Sequence, residues 1–274
     1  MSQTTGIAWT DSTFNPWIGC SHADNSPACA HCYAESLNKF WKWNGGTWGP
    51  GAPRTISAES SWASPPSLNK RADRGARGKD GRHWLVFAGD LCDIFDDQGP
   101  AEARERMWRL FRTTPHLTWQ LLTKRPENFS RFLPKDWGDG YPNVWVGVTA
   151  ENNVQAQRRI TILKGTPACL RFVSFEPLLE EVRTDLSDVD WAIVGGESGG
   201  KARPFNLDWA RSLQKQCASS GTAFFLKQLG SKPYENESPV PLNHPKKKGK
   251  RDTSGTALEN FPADLRVQSW PEIH

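Results

Sequence analysis

The feature that most constrains the fold of this chain is a regular alternation of apolar runs with helical patterns. Short apolar runs bounded by turn residues are typical of buried strands. Seven runs are expected to be strands, namely Ile7–Asp11, Trp84–Asp90, Leu117–Leu122, Val144–Thr149, Leu170–Glu176, Trp191–Gly196 and Ala223–Leu226. Strands that alternate with helices predict a parallel sheet with helices outside it, and seven strands favour a partial or full parallel (β/α) barrel. A doubly wound open sheet is the alternative.

The segments around these strands set the expected domain organisation. Helical patterns are expected at His31–Trp43, Pro100–Thr113, Glu127–Leu133, Asn152–Leu163 and Leu207–Ser219. Residues 1–230 show no internal boundary, so we predict one barrel there. Residues 44–82 are rich in Gly, Pro and Ser and lack periodicity, which predicts a long insertion or lid. Residues 231–274 are polar and are expected to form an extension that packs late or not at all.

Polar side chains follow nearly every expected strand. They are Asp11, Asp90, Lys124 with Arg125, Thr149 with Glu151, Ser174 with Glu176, Glu197 with Ser198, and Lys227 with Gln228. In a parallel barrel the carboxyl ends of the strands face one mouth, where catalytic groups gather. Polar residues also simply begin loops, but seven such positions in succession favour a shared site.

Three cysteines lie close together near the start of the chain. Eight residues separate Cys20 from Cys29, and two separate Cys29 from Cys32. Such a loop can bring three sulfurs to face one point, and the spacing leaves three kinds of site open. A structural zinc site would add His22 or His31 as a fourth ligand, and a disulfide would leave a spare thiol. An iron–sulfur cluster held by three cysteines would keep one iron open for a ligand.

The cellular compartment bears on the choice between these sites. The sequence has no visible secretory leader and no apolar run near the roughly 20 residues that span a bilayer. We therefore expect a cytoplasmic protein without membrane contact. Cysteine-rich loops in a reducing compartment hold metal more often than they form bridges, which places the disulfide last. Cys92, Cys169 and Cys217 are scattered and are expected to be buried or spare.

Basic charge is concentrated in two segments. Residues 44–82 carry seven Lys or Arg against three acidic residues, an excess equal to the net charge of +4 of the whole chain. A second basic cluster spans residues 246–251. Basic segments attract phosphate backbones, although a solvated loop and a solvated tail are the simpler interpretation.

The expected core carries a set of short motifs that together resemble one family. The matching pieces are Trp9-Thr10-Asp11, Asn15-Pro16, Gly19-Cys20, Cys29-Ala30-His31-Cys32-Tyr33-Ala34, Leu122-Thr123-Lys124-Arg125-Pro126, Gly147-Val148-Thr149, Ser174-Phe175-Glu176-Pro177-Leu178-Leu179, Gly195-Gly196-Glu197-Ser198-Gly199 and Lys227-Gln228. Through these pieces the chain resembles a phage- and bacteria-borne three-cysteine-motif family of radical S-adenosylmethionine (SAM) enzymes, related to spore photoproduct lyase. The resemblance implies a barrel of the radical SAM type.

The resemblance also implies the cofactors. A [4Fe–4S] cluster would lie on Cys20, Cys29 and Cys32, with SAM chelating the fourth iron and an external electron donor supplying the electron. Reductive cleavage of SAM would release a 5′-deoxyadenosyl radical that abstracts hydrogen from the substrate, while the protein supplies position and excludes water. On the strength of this resemblance, an iron–sulfur cluster is strongly favoured over a zinc site for the cysteine loop. In a phage-encoded member the compartment would be the host cytoplasm.

Roles for further residues follow from the same resemblance. His31 stands where the superfamily usually has an aromatic residue that packs on adenine, and Asp90 is expected to accept a hydrogen bond from the SAM ammonium. Thr149 and Glu151 are candidates for the ribose hydroxyls. Five residues are candidates for contact with cofactor or substrate, with a structural ion pair as the alternative for each, namely Ser174, Glu176, Lys124, Arg125 and Lys227. Glu197 is expected to serve the substrate or a neighbouring wall of the site.

Three features depart from the superfamily pattern. The gap between the first two cysteines is eight residues, whereas three is commonest. Gly89-Asp90 stands in place of the usual Gly-Gly-Glu, and a literal Gly195-Gly196-Glu197 follows a later expected strand. The insertion at residues 44–82 has no assigned counterpart.

The expected substrate is a nucleic-acid base, in DNA or as a modified nucleotide. Phage members of such families accompany hypermodification of DNA bases, which suggests isomerisation of a glycyl-substituted thymine. The basic segments would meet phosphates, and some of the 14 Trp residues could stack on an extruded base, although most are more simply core. The alternatives are another radical SAM reaction on DNA, such as thymine-dimer reversal, and a non-catalytic zinc-stabilised nucleic-acid-binding module. Methylthiolation usually needs a second cluster, and the scattered remaining cysteines argue against one.

Overall fold

A computed structural model describes residues 4–245 and 251–272. The strands are β1 (Ser12–Phe14), β2 (Trp17–Ile18), β3 (Thr55–Ile56), β4 (Trp84–Ala88), β5 (Leu117–Thr123), β6 (Val144–Thr149), β7 (Arg171–Phe175), β8 (Trp191–Gly195), β9 (Phe205–Asn206), β10 (Ala223–Gln228), β11 (Pro233–Glu235) and β12 (Ser238–Pro239). The helices are α1 (Tyr33–Trp41), α2 (Glu59–Asp73), α3 (Ala101–Arg112), α4 (Phe129–Phe132), α5 (Asn153–Lys164) and α6 (Leu207–Ser220). Most of the second basic cluster, residues 246–250, lies outside the described residues. None of the described helices has the length and apolar character needed to cross a membrane.

Seven strands form one sheet in the order β1-β4-β5-β6-β7-β8-β10. The pairs β1 with β4, β4 with β5, β7 with β8, and β8 with β10 are parallel. The order rises along the chain without reversing, as it does in (β/α) barrels, whereas a doubly wound sheet reverses at a switch point. The expected parallel α/β fold with barrel-type strand order is therefore confirmed.

The chain divides into two compact units, and the boundary runs through β6. The first unit comprises Met1–Gly147 with Gly165–Leu170, and the second comprises Val148–Lys164 with Arg171–His274. No such boundary is visible in the sequence, because all six residues of β6 are buried and its composition matches that of the neighbouring strands.

The first unit contains β1, β4 and β5, whose carboxyl ends lie at one edge because the strands are parallel. Its first strand differs from the expected Ile7–Asp11 and begins directly after Asp11. The carboxylate of Asp11 accepts hydrogen bonds from the backbone N–H of Lys79 at 2.6 Å and of Leu85 at 2.8 Å. Asp11 thus fixes the entry to β4 instead of ending a strand.

Helix α2 lies within the segment that was expected to be an insertion without regular structure. Trp62 and Leu68 are buried along this helix, and Trp62 packs edge-on against Phe14 with ring centroids 5.0 Å apart. The sequence hides the helix because Pro65 and Pro66 lie inside it, and proline in a helix interior removes backbone hydrogen bonds. Packing of the buried face outweighs that local cost.

The second unit contains β7, β8 and β10 with α5 and α6, and a small sheet of β9, β11 and β12. The described part of the C-terminal extension packs on this unit, in contrast to the expected loose tail. Phe261 and Leu265 are buried, and the indole of Trp270 lies 4.9 Å from that of Trp191, between ring centroids. A few well-placed apolar side chains therefore anchor a segment whose overall composition is polar.

Candidate metal centre

The cysteine loop follows β2 and ends at α1. Gly19 forms an isolated parallel bridge with Cys92, which brings the loop beside the segment that follows β4. Gly19 has a φ of +120°, and a Cβ there would lie 2.9 Å from the carbonyl oxygen of Pro53, so glycine is required. Cys29 lies in a short 3-10 helix, and Cys32 is the N-cap of α1.

A buried network of charges holds the loop in place. Asp96 is fully buried; its carboxylate accepts a hydrogen bond from the Ser21 hydroxyl at 2.6 Å and pairs with Arg54 at 2.8 Å. The guanidinium of Arg125 donates to the same Ser21 hydroxyl at 2.8 Å and lies 3.5 Å from the carboxylate of Asp93. Burial alone would raise the pKa of Asp96, but the Ser21 hydrogen bond and the two arginines outweigh it and lower that pKa. Charge pairing therefore ties the loops after β2, β4 and β5 together.

Hydrogen-bond donors and positive charge face the sulfur atoms. Arg125 Nη1 lies 3.6 Å from Cys20 Sγ, and the backbone N–H of Ala23 lies 3.5 Å from Cys29 Sγ. The charge of Lys124 acts on the thiol of Cys32. Donors and cations of this kind stabilise thiolates and the sulfur atoms of metal clusters.

Burial dominates the acidity of two of these thiols. It raises the pKa of Cys20 to about 11, with the charge of Asp93 adding to the effect and that of Arg125 opposing it. Burial also raises the pKa of Cys32. Both groups are neutral thiols near pH 7 without metal, so metal binding would release protons from them.

The donor set fits an iron–sulfur cluster in its chemistry. All three loop cysteines are free and partly exposed, whereas Cys92 and Cys217 are buried. Thiolates are the usual ligands of such clusters, and three of them leave one iron open. Within the described residues, no three His, Cys, Asp or Glu side chains form a group that could hold a metal ion, so the expected convergence of the three sulfurs on one point stays a prediction.

Asp90 and His31 lie in the same unit as the cysteine loop. The side-chain amide of Asn15 donates to the carboxylate of Asp90 at 2.6 Å, and the hydroxyl of Tyr33 donates to its carbonyl oxygen. Burial raises the pKa of Asp90, and the Asn15 hydrogen bond opposes this shift. His31 is exposed on the loop. The expected SAM contacts of both residues stay predictions.

The two expected substrate cations of this unit differ in their surroundings. Arg125 is buried against Asp93 and the loop, as in the structural alternative considered for it. Lys124 is partly exposed, and its backbone N–H donates to the Asp93 carboxylate at 3.1 Å. The side chain of Lys124 is therefore the more accessible of the two.

The second unit brings together the residues at the ends of β7, β8 and β10. The amine of Lys227 lies 3.1 Å from the carboxylate of Glu176, and the Ser174 hydroxyl lies 3.5 Å from the same carboxylate. The side-chain amide of Gln228 donates to the carbonyl oxygen of Gly196 at 2.8 Å. These residues at the strand ends therefore form a polar cluster within the second unit.

Two expected contact residues of the second unit have arginine partners. Glu151 and Arg159 are both fully buried and form an ion pair at 2.8 Å. Glu197 pairs with Arg203 at 2.6 Å. The hydroxyl of Thr149 is buried and makes no hydrogen bond within the described residues. The ribose and substrate roles assigned to these residues stay predictions.

The sequence did not indicate the residues that support the cysteine loop and the segments beside it. Asn15, Asp93 and Asp96 were assigned no role, although all three contact the expected site residues. The available signal was the acidic run Asp90–Asp97, which follows a buried strand and alternates with apolar residues.

The fold and the site define a parallel α/β protein with a three-thiol loop at the carboxyl edge of its first strands. A family model described as "Protein of unknown function (DUF5131)" matches residues 4–262. The chain belongs to that family. No curated protein matches the chain, and no solved structure matches it.

Proposed function

We propose that this protein is a radical SAM enzyme whose cysteine loop holds a [4Fe–4S] cluster and whose substrate is a nucleic-acid base. The observation that supports the proposal is that Cys20, Cys29 and Cys32 share one partly exposed loop, with Arg125 3.6 Å from Cys20 Sγ and the charge of Lys124 acting on the Cys32 thiol. When bound, the cluster and SAM would supply one-electron cleavage and hydrogen abstraction.

The residues of the chain would bind and orient these groups. The three thiolates would hold three irons and leave the fourth for SAM. Arg125 would fix Cys20 through its hydrogen bond to Sγ, and Asp90 would accept a hydrogen bond from the SAM ammonium. Lys124, which is partly exposed and whose charge acts on the Cys32 thiol, would attract an anionic cofactor or a phosphate group.

The preferred reaction is isomerisation of a glycyl-substituted thymine in DNA. Hydrogen abstraction from the glycyl carbon, migration of the substituent and return of a hydrogen would leave the mass of the base unchanged. The resemblance to phage three-cysteine enzymes suggests this substrate, and the basic character of residues 44–82 is compatible with a DNA partner.

Anaerobic reconstitution of the full chain with iron and sulfide tests the cofactor. The expected product is a brown protein with about four irons and about four sulfides per chain. Cys29→Ala should abolish loading, whereas the matched Cys169→Ala change, at an exposed cysteine outside the loop, should leave it intact. A colourless protein with one zinc and no inorganic sulfide would overturn the proposal in favour of a zinc-stabilised module.

Product analysis tests the reaction. Reconstituted protein with SAM and dithionite should release 5′-deoxyadenosine, and DNA that carries glycyl-thymine should yield a nucleoside of unchanged mass and altered retention. Deuterium on the glycyl carbon should appear in 5′-deoxyadenosine. If thymine dimers are reversed while glycyl-thymine is untouched, the reaction is a repair-type lyase and the isomerase assignment fails.

A further inference from the structure

Helix α1 presents its apolar stripe to solvent. The side chains of Tyr33, Leu37, Phe40 and Trp41 occupy positions i, i+4, i+7 and i+8 of the helix, and Trp43 lies two residues beyond its end. Their exposed fractions range from 38% for Leu37 to 74% for Phe40. A helix ordinarily buries such a stripe against the core. We call these five side chains the α1 aromatic face.

The helix is held to the first unit by other residues. Ala34 and Asn38 are its buried positions. The Asn38 side-chain amide donates to the carbonyl oxygen of Thr47 at 2.8 Å, and its oxygen accepts from the backbone N–H of Asn44 at 3.2 Å. The α1 aromatic face is therefore not needed to anchor the helix, and its large exposed apolar surface indicates a binding role.

The geometry of the rings suits flat ligands. The indole planes of Trp41 and Trp43 are within 13° of parallel, with centroids 6.4 Å apart, and Phe40 packs edge-on against Trp41. The parallel indoles offer flat π surfaces of the kind on which nucleobases stack. A partner helix would instead require a groove lined by apolar side chains.

The charged residues of α1 and its C-cap, Glu35, Lys39 and Lys42, carry a net positive charge. Lys42 lies between the two indoles in the sequence, is exposed, and has no ion pair with any described carboxylate. Glu35, the acidic residue of α1, is engaged by Lys39 at 2.7 Å and by His22 at 3.0 Å. Exposed aromatic rings beside an uncompensated lysine are the combination that binds single-stranded nucleic acid.

We propose that the α1 aromatic face binds single-stranded nucleic acid by base stacking, with Lys42 contacting the phosphate backbone. The inference rests on the proposed function and deepens it by naming where the nucleic acid lies. An enzyme that acts on a base must take it out of the duplex stack, so unpaired bases require a surface that holds them. The α1 aromatic face begins directly after the cluster ligand Cys32.

Fluorescence anisotropy with a labelled 12-nucleotide single strand tests the inference on the full chain. Trp41→Ala and Phe40→Ala should each weaken binding by about 5- to 150-fold, the factor that corresponds to 1–3 kcal/mol of stacking per base. Trp41→Phe should restore most of the affinity. Val154→Ala, at another exposed apolar residue, is the matched control and should bind like the unchanged chain.

Two results would overturn the inference. One is equal affinity of Trp41→Ala and the unchanged chain for the single strand. The other is a shift from dimer to monomer in light scattering for the Phe40→Ala variant without loss of strand affinity, which would identify the face as an interface between copies of the chain.

The inference and the proposed function can fail separately. If the protein binds no cluster but the aromatic variants still lose affinity for the strand, the binding face stands and the enzyme assignment fails. If 5′-deoxyadenosine forms but the variants bind the strand normally, the enzyme assignment stands and the face is not the nucleic-acid site.

Discussion

The guanidinium of Arg125 joins the cysteine loop to the segment after β4. It donates to Cys20 Sγ and to the hydroxyl of Ser21 and pairs with Asp93. Its position at the end of a strand was readable from the sequence. Its partners were not, because they depend on how three loops distant along the chain fold against one another.

Arg125→Lys keeps the positive charge and removes the fork of donors. We expect the reconstituted cluster to form with a midpoint potential about 20–60 mV lower, since hydrogen bonds to sulfur raise the potential and one such bond contributes about 0.5–1.5 kcal/mol. A redox titration followed by electron paramagnetic resonance measures the shift. Arg131→Lys, at an exposed ion pair with Asp97, is the control. Equal potentials for both variants would exclude a role for the Arg125 hydrogen bond.

Asp90→Ala removes the carboxylate that is expected to face the SAM ammonium. SAM should bind about 10- to 150-fold more weakly to the reconstituted protein, because a hydrogen bond to a charged group contributes about 1.5–3 kcal/mol. Iron and sulfide content should not change. Calorimetric titration measures the affinity, with Asp139→Ala in an exposed loop as control. Unchanged SAM affinity would move this role to another residue.

At the scale of elements, long buried strands were the most predictable part of the fold. β6 occupies the expected residues, β5 and β8 differ from expectation by one residue at one end, and β7 differs by one residue at each end. The continuous apolar runs of these four segments are typical of buried strands, which is why the sequence predicts them well. Helix α2 was missed because its prolines argue locally against a helix, and only its contact with the core shows that Trp62 and Leu68 form a buried face.

Gly196 marks a close approach of chain segments in the second unit. A Cβ at this position would lie 2.3 Å from the carbonyl oxygen of Leu229 and 2.9 Å from the Cβ of Phe205. Gly196→Ala should therefore lower the free energy of unfolding by about 1–3 kcal/mol through overpacking. Gly200→Ala is the matched control, because a Cβ there meets no atom within 4 Å. Thermal unfolding compares the two variants, and equal midpoint temperatures for them would contradict the close approach of the chain segments at Gly196.

At the scale of the whole molecule, the sequence indicated the class of fold and the cysteine loop but not the division into two units. The family match spans residues from both units. The division falls inside a continuous strand, where neither composition nor a linker marks it. The packing of the C-terminal extension was equally hidden, because a few anchoring side chains do not alter a polar composition.

Acid should weaken the attachment of that extension. Burial alone would raise the pKa of Asp252, but hydrogen bonds from the backbone of Ala257 and Ser254 and from Asn260 outweigh it and lower the pKa. A lowered pKa in the folded state contributes stability above the unfolded value of about 3.9, and this contribution is lost as the pH falls through the folded value. Asp252 therefore stabilises the neutral-pH state.

Asp252→Asn should lower the stability at pH 7 by about 1–3 kcal/mol, since an amide replaces a charged acceptor. The difference between the variant and the unchanged chain should shrink below about pH 4 as Asp252 itself becomes protonated. Urea unfolding between pH 3 and pH 7 measures this difference in the free energy of unfolding. Asp139→Asn, at an exposed position, is the control. A difference that does not change with pH would contradict the role of the charge.

Cys32 is both the last thiol of the loop and the N-cap of α1, and the nine residues that follow it form a stiff rod. One end of this rod carries sulfur and the other carries indole rings. If Cys32 holds an iron and the α1 aromatic face binds a strand, as proposed, both ligands act on the same short helix. Coupling between two such sites is reciprocal, so an iron spectrum that changes when the strand is added would be matched by a strand affinity that changes when the iron is reduced.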